Sequence, residues 1–221
     1  MTFFLLLILA FSACAESLHY TINWPSGLSL GEATLDSSRA QNGQAPGNWT
    51  FGLEIDAGIP GFVIRDEYHA QSDADLCSIS LDKKFTHGPH KTEEHIGFDQ
   101  SNHTATRQTA GGGKSDVSIP SCGRDALSFL QFARNELAAG RLAPQQPVIF
   151  GAPYDVRLEF TGTQHIRLGD KSVEADHINA TLKGPSSDLT VEIFFSRDPA
   201  RTPLMAKIPL ALGTFSVELL R

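Results

Sequence analysis

The dominant pattern along the chain is an alternation of apolar and polar residues at every second position. Phe51, Leu53, Ile55 and Ala57 alternate with polar or small residues, as in a strand that buries one face. The same pattern recurs in residues 20–24, 77–81, 154–160, 189–195, 204–210 and 215–219. Turn-favouring residues lie between these runs, so the pattern predicts a long antiparallel meander that forms a curved sheet or (half-)barrel.

One segment has the period of a helix instead. In residues 124–139 the apolar side chains recur three and four positions apart and therefore fall on one stripe of a helix; they are Ala126, Phe129, Leu130, Ala133 and Leu137. Gly140 follows directly, at a position where helices commonly end. A lone helix of this length is marginal in water. We therefore expect one long α-helix packed on or in the curved sheet.

The alternation changes phase within one predicted strand. Val173 and Ala175 share one face, whereas Ile178 and Ala180 share the other. An extra residue in a strand reverses the faces of all the residues that follow it. The pattern therefore predicts a β-bulge near His177.

Length and charge narrow the class of protein. The chain has 221 residues, of which 41% are apolar and 19% charged, and its net charge is −7. This length and composition fit one folded domain, and the apolar content is too high for a disordered chain. The excess of acidic residues leaves no electrostatic basis for binding phosphate backbones, so we expect no nucleic acid partner.

The N-terminal residues predict export. Residues 3–11 are an uninterrupted apolar run, too short to span a membrane and followed by small residues. We interpret residues 1–15 as a signal peptide and residues 16–221 as a single β-rich envelope domain of a bacterium. Ala13-Cys14-Ala15 fits cleavage to a periplasmic form, whereas residues 11–14 resemble a lipobox in which Cys14 would be lipidated and anchor the chain to the outer membrane. Both routes remain open.

The cysteine count predicts a disulfide. Cleavage or lipidation consumes Cys14, which leaves Cys77 and Cys122 as a pair in an oxidising compartment. The alternative is two buried free thiols.

Short motifs in a fixed order resemble the bacterial domain of unknown function 3108 family. They are Tyr20-x-Ile22 with Gly27 and Gly31-Glu32-Ala33, Asp125-Ala126-Leu127-Ser128 with Arg134 and Leu137-x-x-Gly140, and Thr202-Pro203-Leu204 with Gly213. The resemblance implies an exported envelope protein built mainly of antiparallel strands, with Gly31, Asp125, Ser128, Arg134, Gly140, Pro203 and Gly213 as family positions. It implies no established activity.

Four histidines are the strongest candidates for chemistry. His87, His90, His95 and His103 lie within one short segment, and imidazoles gathered by a hairpin bind zinc or copper. Their spacing matches no standard metal motif, and the first two flank a Gly-Pro turn. A site formed by His87, His90 and His95 therefore competes with solvated loop histidines.

Two functional hypotheses follow. The first is a non-catalytic envelope protein, without a cofactor, whose curved sheet binds an apolar ligand, a lipid or acyl chain, or a partner protein. The second is a hydrolase or metal-dependent enzyme that uses the histidines of residues 87–103. An open apolar cavity would favour the first hypothesis, and convergence of the histidines with a carboxylate would favour the second.

Overall fold

The structure is a computed structural model that describes residues 15–40, 47–59, 61–185 and 188–220. Residues 1–14, which include Cys14 and most of the predicted signal peptide, and residues 41–46 lie outside these ranges. Within them, no helix is both long enough and apolar enough to cross a membrane.

The described residues form fifteen strands and one long helix. In chain order the elements are β1 Ala15–Asn23, β2 Ser29–Arg39, β3 Trp49–Ile59, β4 Phe62–Ser72, β5 Ser78–His87, β6 His90–Asp99, β7 Thr104–Thr109, β8 Lys114–Ser118, β9 Arg124–Asp125, α1 Ala126–Ala138, β10 Gln146–Ile149, β11 Pro153–Leu168, β12 Lys171–Lys183, β13 Asp188–Ser196, β14 Pro203–Leu210 and β15 Gly213–Leu219. The predicted mainly β fold with one long helix is confirmed.

All fifteen strands belong to one large, curved, open sheet. Its order is β8-β7-β6-β5-β4-β3-β2-β1-β15-β14-β13-β12-β11-β10-β9, so strands that are neighbours in sequence are mostly neighbours in the sheet. The pairings are antiparallel except that between β9 and β10. Short turns allow this meander because antiparallel neighbours need no crossover connection.

The sheet curves far enough for its last strand to return to β5. The backbone N–H of Ser78 donates to the carbonyl oxygen of Gly123 at 3.0 Å. Next to this contact, Cys77 and Cys122 form a disulfide that closes a sequence separation of 45 residues. The link holds the strand that leads into α1 against the start of β5.

Helix α1 covers the inner face of the sheet. Phe129 and Ala133 pack with Val148 and Val156, and Leu137 packs with buried residues of β12 and β13. The helix is shorter than the predicted 124–139, because residues 124 and 125 pair with β10 as β9.

The helix ends at Gly140, as its position predicts. Gly140 has φ +75°, and its N–H donates to the carbonyl oxygen of Leu137 at 3.0 Å. The N–H of Arg141 donates to the carbonyl oxygen of Glu136 at 2.9 Å. These two bonds form the Schellman arrangement that satisfies the last carbonyl groups of a helix.

The buried side chains of β12 change from one face to the other as predicted, since Ala175 and Ile178 are both buried, but the bulge lies in the neighbouring strand. The β11–β12 register shifts between Phe160 and Gly162, opposite Ile178 and His177, so the extra residue is Thr161. The prediction of a bulge near His177 found the right place and the wrong strand. A bulge in either strand of a pair changes the face on which both strands carry their apolar side chains. The sequence of β12 alone therefore does not show which strand contains the extra residue.

The alternation also failed at the start of β5. Residues 77–81 predict that Ile79 is buried with Leu81, but Ile79 is 41% exposed and Ser78 is fully buried. The β4–β5 register shifts between Gln71 and Ser72, beside this point. The irregular pairing turns Ser78 inward, towards Asp125.

Candidate functional site

The candidate site is an apolar cavity between α1 and the inner face of the sheet. Its volume is about 280 Å³, and it is partly open to solvent. One wall comes from the helix and the other from β3, β10, β11, β12 and β13. The lining residues are Leu53, Ala126, Leu127, Phe129, Leu130, Ala133, Val148, Phe150, Val156, Leu158, Ala180, Leu182, Val191, Ile193 and Phe195.

The period-two pattern of the strands makes this lining apolar. In β11, Val156 and Leu158 line the cavity, whereas Asp155, Arg157 and Glu159 line a polar depression on the opposite face. Successive side chains of a strand point to opposite faces, so one strand supplies both surfaces. No charged or hydrogen-bonding side chain is among the lining residues that the structure describes.

This lining determines what the cavity can do chemically. A volume of about 280 Å³ is close to the lower end of the range for ligand sites, which runs from about 300 to 1,000 Å³. Without a titratable group on its wall, the cavity offers no nucleophile and no acid or base to a bound molecule. It can bury apolar surface of a small molecule or of one end of a longer chain.

A buried capping cluster fixes the start of the helix that forms the cavity wall. Asp125 has no exposed surface, and its Oδ1 accepts hydrogen bonds from the N–H groups of Leu127 at 2.8 Å and Ser128 at 3.0 Å. Its Oδ2 accepts from Ser128 Oγ at 2.6 Å and from Ser78 Oγ. Burial raises the pKa of the Asp125 carboxyl, and the hydrogen bonds from the two serines oppose that rise.

Arg134 fixes the middle of the same helix to the start of β1. Its guanidinium donates to both carboxylate oxygens of Glu16, at 2.6 and 2.9 Å, and to the carbonyl oxygen of Ala200. Nearby, the hydroxyl of Tyr20 donates to the carbonyl oxygen of Pro203 at 3.0 Å. Burial raises the pKa of the Tyr20 hydroxyl above its ordinary value. The side chains of Asp125, Ser128 and Arg134 thus position the helix from outside the cavity lining, whereas the carbonyl group of Pro203 joins β14 to β1.

Two further family positions are glycines with no room for a side chain. A Cβ atom on Gly31 would overlap the carbonyl oxygen of Asp56 in the neighbouring strand. A Cβ atom on Gly213 would lie 2.7 Å from Cγ of Pro25, and Gly213 has φ +124°. Gly31 must lack a side chain for β2 to pair with β3, and Gly213 must lack one to lie beside the ring of Pro25 in the β1–β2 turn.

An ionic cluster borders the cavity at Phe150. The Lys83 ammonium lies 3.3 Å from Glu94 Oε2 and sits over the rings of Phe85 and Phe150, at 4.7 and 4.6 Å. Burial lowers the pKa of Lys83. A hydrogen bond from Arg107 lowers the pKa of Glu94. The cluster is internally paired, which is how a protein accommodates buried charges.

The structure does not bring the candidate metal ligands together. His87 Nε2 lies 2.8 Å from Asp66 Oδ1, and His95 Nδ1 lies 2.7 Å from Asp82 Oδ1. His95 alternates in β6 with Glu94, which contacts Lys83 on the inner face, so His95 points outward.

His90 and His103 are exposed and join neither pair. Among the described residues, no group of three or more His, Cys, Asp or Glu side chains is placed to hold a metal ion. The prediction of a site formed by His87, His90 and His95 is therefore wrong. Side chains alternate between the two faces of a hairpin, so residues that are close in sequence do not all lie on the same face.

Other depressions are larger or comparable but polar. One of about 400 Å³ lies beside the start of β1 and is lined mainly by serine, threonine, acidic and histidine side chains. Its lining includes charged and hydrogen-bonding side chains such as Glu16, Asp36 and His69, whereas the cavity under α1 has none, so the smaller cavity is the better candidate for an apolar ligand.

Sequence reasoning found part of this site. It identified most of the helix stripe, and Val156 and Leu158 of β11 and Val191, Ile193 and Phe195 of β13, as inward-facing residues, and these line the cavity. Leu137 of the stripe and Phe160 of the 154–160 run do not line it, and Phe160 is 50% exposed. It missed Val148, because a strand of four residues is too short to show a period, and Phe150, which follows that strand outside any regular element. It also missed the partners Ser78 and Glu16, which lie 47 and 118 residues from the helix residues that they contact.

Comparison with known proteins gives one family match and one solved structure of similar fold. A family described as "Protein of unknown function (DUF3108)" matches residues 19–220. The crystal structure of a β-barrel-like protein of domain of unknown function DUF1849 from Brucella abortus superposes with a TM-score of 0.63, at 9% identity over 93% of this chain and 95% of that chain. At this identity the likeness concerns the fold alone.

A second solved structure is much less similar. The Mycobacterium tuberculosis lipoprotein LppX gives a TM-score of 0.29, at 12% identity over 92% of this chain and 84% of that chain. A score this low does not indicate a shared fold. No curated protein matches the sequence.

Proposed function

Because the chain belongs to the family of proteins of unknown function DUF3108, we propose its function from its own structure: it is a non-catalytic protein that binds an apolar ligand between α1 and the sheet. The observation that carries the proposal is the cavity of about 280 Å³ with a wholly apolar lining. A packed core would have filled this space, because protein interiors leave few voids larger than a water molecule. The ligand class is a lipid or acyl chain, since the wall offers no hydrogen bond to a polar molecule.

The helix is the element that makes the cavity possible. It is held at Asp125 and at Arg134 by contacts that lie outside the lining. These contacts add to the packing of Phe129 and Ala133 on Val148 and Val156, which also line the cavity. Support from outside the lining is what a binding site requires of a scaffold.

We propose further that the protein is exported. The apolar run of residues 3–11 and the small residues that follow it support a signal peptide. The disulfide between Cys77 and Cys122 is consistent with an oxidising compartment. Mass spectrometry of the mature N-terminus distinguishes a periplasmic form cleaved after Ala15 from a lipoprotein with acyl chains on Cys14.

The binding proposal is tested with cis-parinaric acid, a fluorescent polyunsaturated fatty acid. We expect the wild-type protein to bind it with micromolar affinity. Ala126→Leu fills the cavity from the helix wall and Ala180→Leu fills it from the sheet wall. Each substitution should raise the Kd about tenfold, because the added carbons occupy the space of the ligand.

The matched control is Ala138→Leu, which makes the same change at an exposed position of α1 outside the lining. It should bind like the wild type. Urea unfolding of each variant shows whether the fold is kept, and two walls are tested so that one misfolded variant leaves a second measurement. The proposal fails if the wild type does not bind the probe, or if neither filling substitution weakens binding.

A further inference from the structure

One edge of the sheet exposes apolar side chains at successive hairpin turns. Six of the nine exposed large apolar residues lie at the β1–β2, β3–β4 and β14–β15 turns, with exposed fractions between 40% and 72%. They are Leu28, Ile59, Phe62, Val63, Leu210 and Leu212. These strands are consecutive in the sheet, in the order β4-β3-β2-β1-β15-β14. The three turns therefore lie side by side at the same end of the strands.

The turns are packed against one another and are not separate loops. The rings of Trp24 and Phe215 lie 5.0 Å apart and join the β1–β2 turn to β15. Gly213 lies against Pro25, and Gly88 of the β5–β6 turn lies against the ring of Phe62. These contacts join the β1–β2 turn to the β14–β15 turn, and the β3–β4 turn to the β5–β6 turn.

Charge is distributed unevenly along this edge. We define the acid-free edge as the five turn segments 24–31, 57–64, 86–92, 108–115 and 208–215, which contain none of the 25 acidic residues of the chain. The three apolar turns carry no charge at all. The next two turns along the same edge, β5–β6 and β7–β8, carry the exposed Lys91 and Lys114. A chain with net charge −7 thus presents an apolar and locally basic edge.

We propose that the acid-free edge docks on an anionic lipid surface. Apolar side chains that project from turn tips enter the boundary between headgroups and acyl chains, where an aromatic side chain such as Trp24 is also favoured. Lysines beside the apolar tips attract anionic headgroups at short range. A protein partner would favour a flat or grooved surface, whereas this edge is a row of narrow tips.

The position of the edge makes docking independent of any lipid on Cys14. Strand β1 runs from Ala15 to Asn23, which corresponds to about 30 Å of extended chain. The acid-free edge therefore lies at the opposite end of β1 from Ala15. It is also distinct from the lining of the cavity, so this inference does not rest on the proposed function.

The test measures sedimentation with vesicles of phosphatidylcholine and phosphatidylglycerol in equal parts. All proteins carry Cys14→Ala, so that no acyl chain can be attached there. The wild-type edge should bind these vesicles, and L28S/L212S should weaken binding about tenfold because two exposed leucines no longer enter the lipid. F160S is the matched control, since Phe160 is 50% exposed but lies away from the edge; it should bind like the wild type.

The basic turns are tested separately. Lys91→Gln and Lys114→Gln should each weaken binding to the anionic vesicles about fivefold and leave binding to pure phosphatidylcholine vesicles unchanged. Ala180→Leu should bind vesicles normally even if it no longer binds fatty acid, which separates this proposal from the cavity proposal. Urea unfolding verifies that each variant is folded.

Several results would overturn the proposal. These are a wild-type protein that does not sediment with anionic vesicles, an F160S variant that loses as much binding as L28S/L212S, and equal sedimentation of L28S/L212S and wild type. A concentration-dependent dimer that L28S/L212S abolishes, without vesicle binding, would assign the edge to contact between two copies of the chain.

Discussion

Replacing Asp125 by alanine should destabilise the protein strongly. The substitution leaves four buried donors without their acceptor: the N–H groups of Leu127 and Ser128 and the hydroxyls of Ser78 and Ser128. Each unsatisfied buried donor costs at least about 1 kcal/mol, and the lost N-cap is part of that sum. The expected loss in the free energy of unfolding is about 4 kcal/mol, a large share of the stability of a typical domain.

Urea denaturation followed by tryptophan fluorescence measures this loss. For a slope of about 2 kcal/mol per molar urea, Asp125→Ala should lower the midpoint by about 2 M. Asp125→Asn should cost much less, because its carbonyl oxygen still accepts the two helix N–H groups and its amide can donate to the serine hydroxyls. Asn also removes a buried charge whose burial is unfavourable.

Asp99 provides the matched control. Its carboxylate accepts hydrogen bonds from Ser101 and Asn102, and these bonds lower its pKa to about 2, but its side chain is exposed. Water replaces the lost acceptor at an exposed site, so Asp99→Ala should shift the midpoint far less than Asp125→Ala. The reasoning is refuted if the two alanine variants have similar midpoints, or if Asp125→Ala lowers the midpoint by less than about 0.5 M.

Three further predictions concern stability. Replacing Cys77 and Cys122 by alanine should lower the free energy of unfolding by about 4 kcal/mol, because the disulfide closes a sequence separation of 45 residues. A wild-type thermal midpoint that reductant leaves unchanged would contradict this expectation. Gly31→Ala should prevent native pairing of β2 with β3, whereas Gly140→Ala, with open space around its Cβ, should cost only about 1 kcal/mol; circular dichroism and urea unfolding distinguish the two. The hydrogen bond from Arg107 lowers the folded-state pKa of Glu94. The ionised Glu94 carboxylate therefore stabilises the fold above the unfolded pKa of about 4.3, and this stabilisation is lost as the pH falls through the folded-state pKa. The stability difference between wild type and Glu94→Gln should therefore shrink in acid, and a pH-independent difference would count against this assignment.

The sequence by itself determined eight of the fifteen strands, the helix and the end of the helix. These features follow from local rules: alternation in β3 and β11, the three-and-four spacing in α1, and the left-handed glycine at position 140. The motif resemblance likewise identified the family correctly. It also marked Asp125 and Arg134, although nothing in their immediate sequence shows what they contact.

Only the tertiary structure decided which residues meet. Period two cannot show which strand of a pair carries the extra residue, so Thr161 was missed although the phase change was visible. Spacing along the chain cannot show that His87 and His95 point to opposite faces of one hairpin. The cavity likewise depends on the distance that Asp125 and Arg134 impose between helix and sheet, through contacts with residues far away in sequence. Packing at such range is a property of the folded sheet, and no local pattern encodes it.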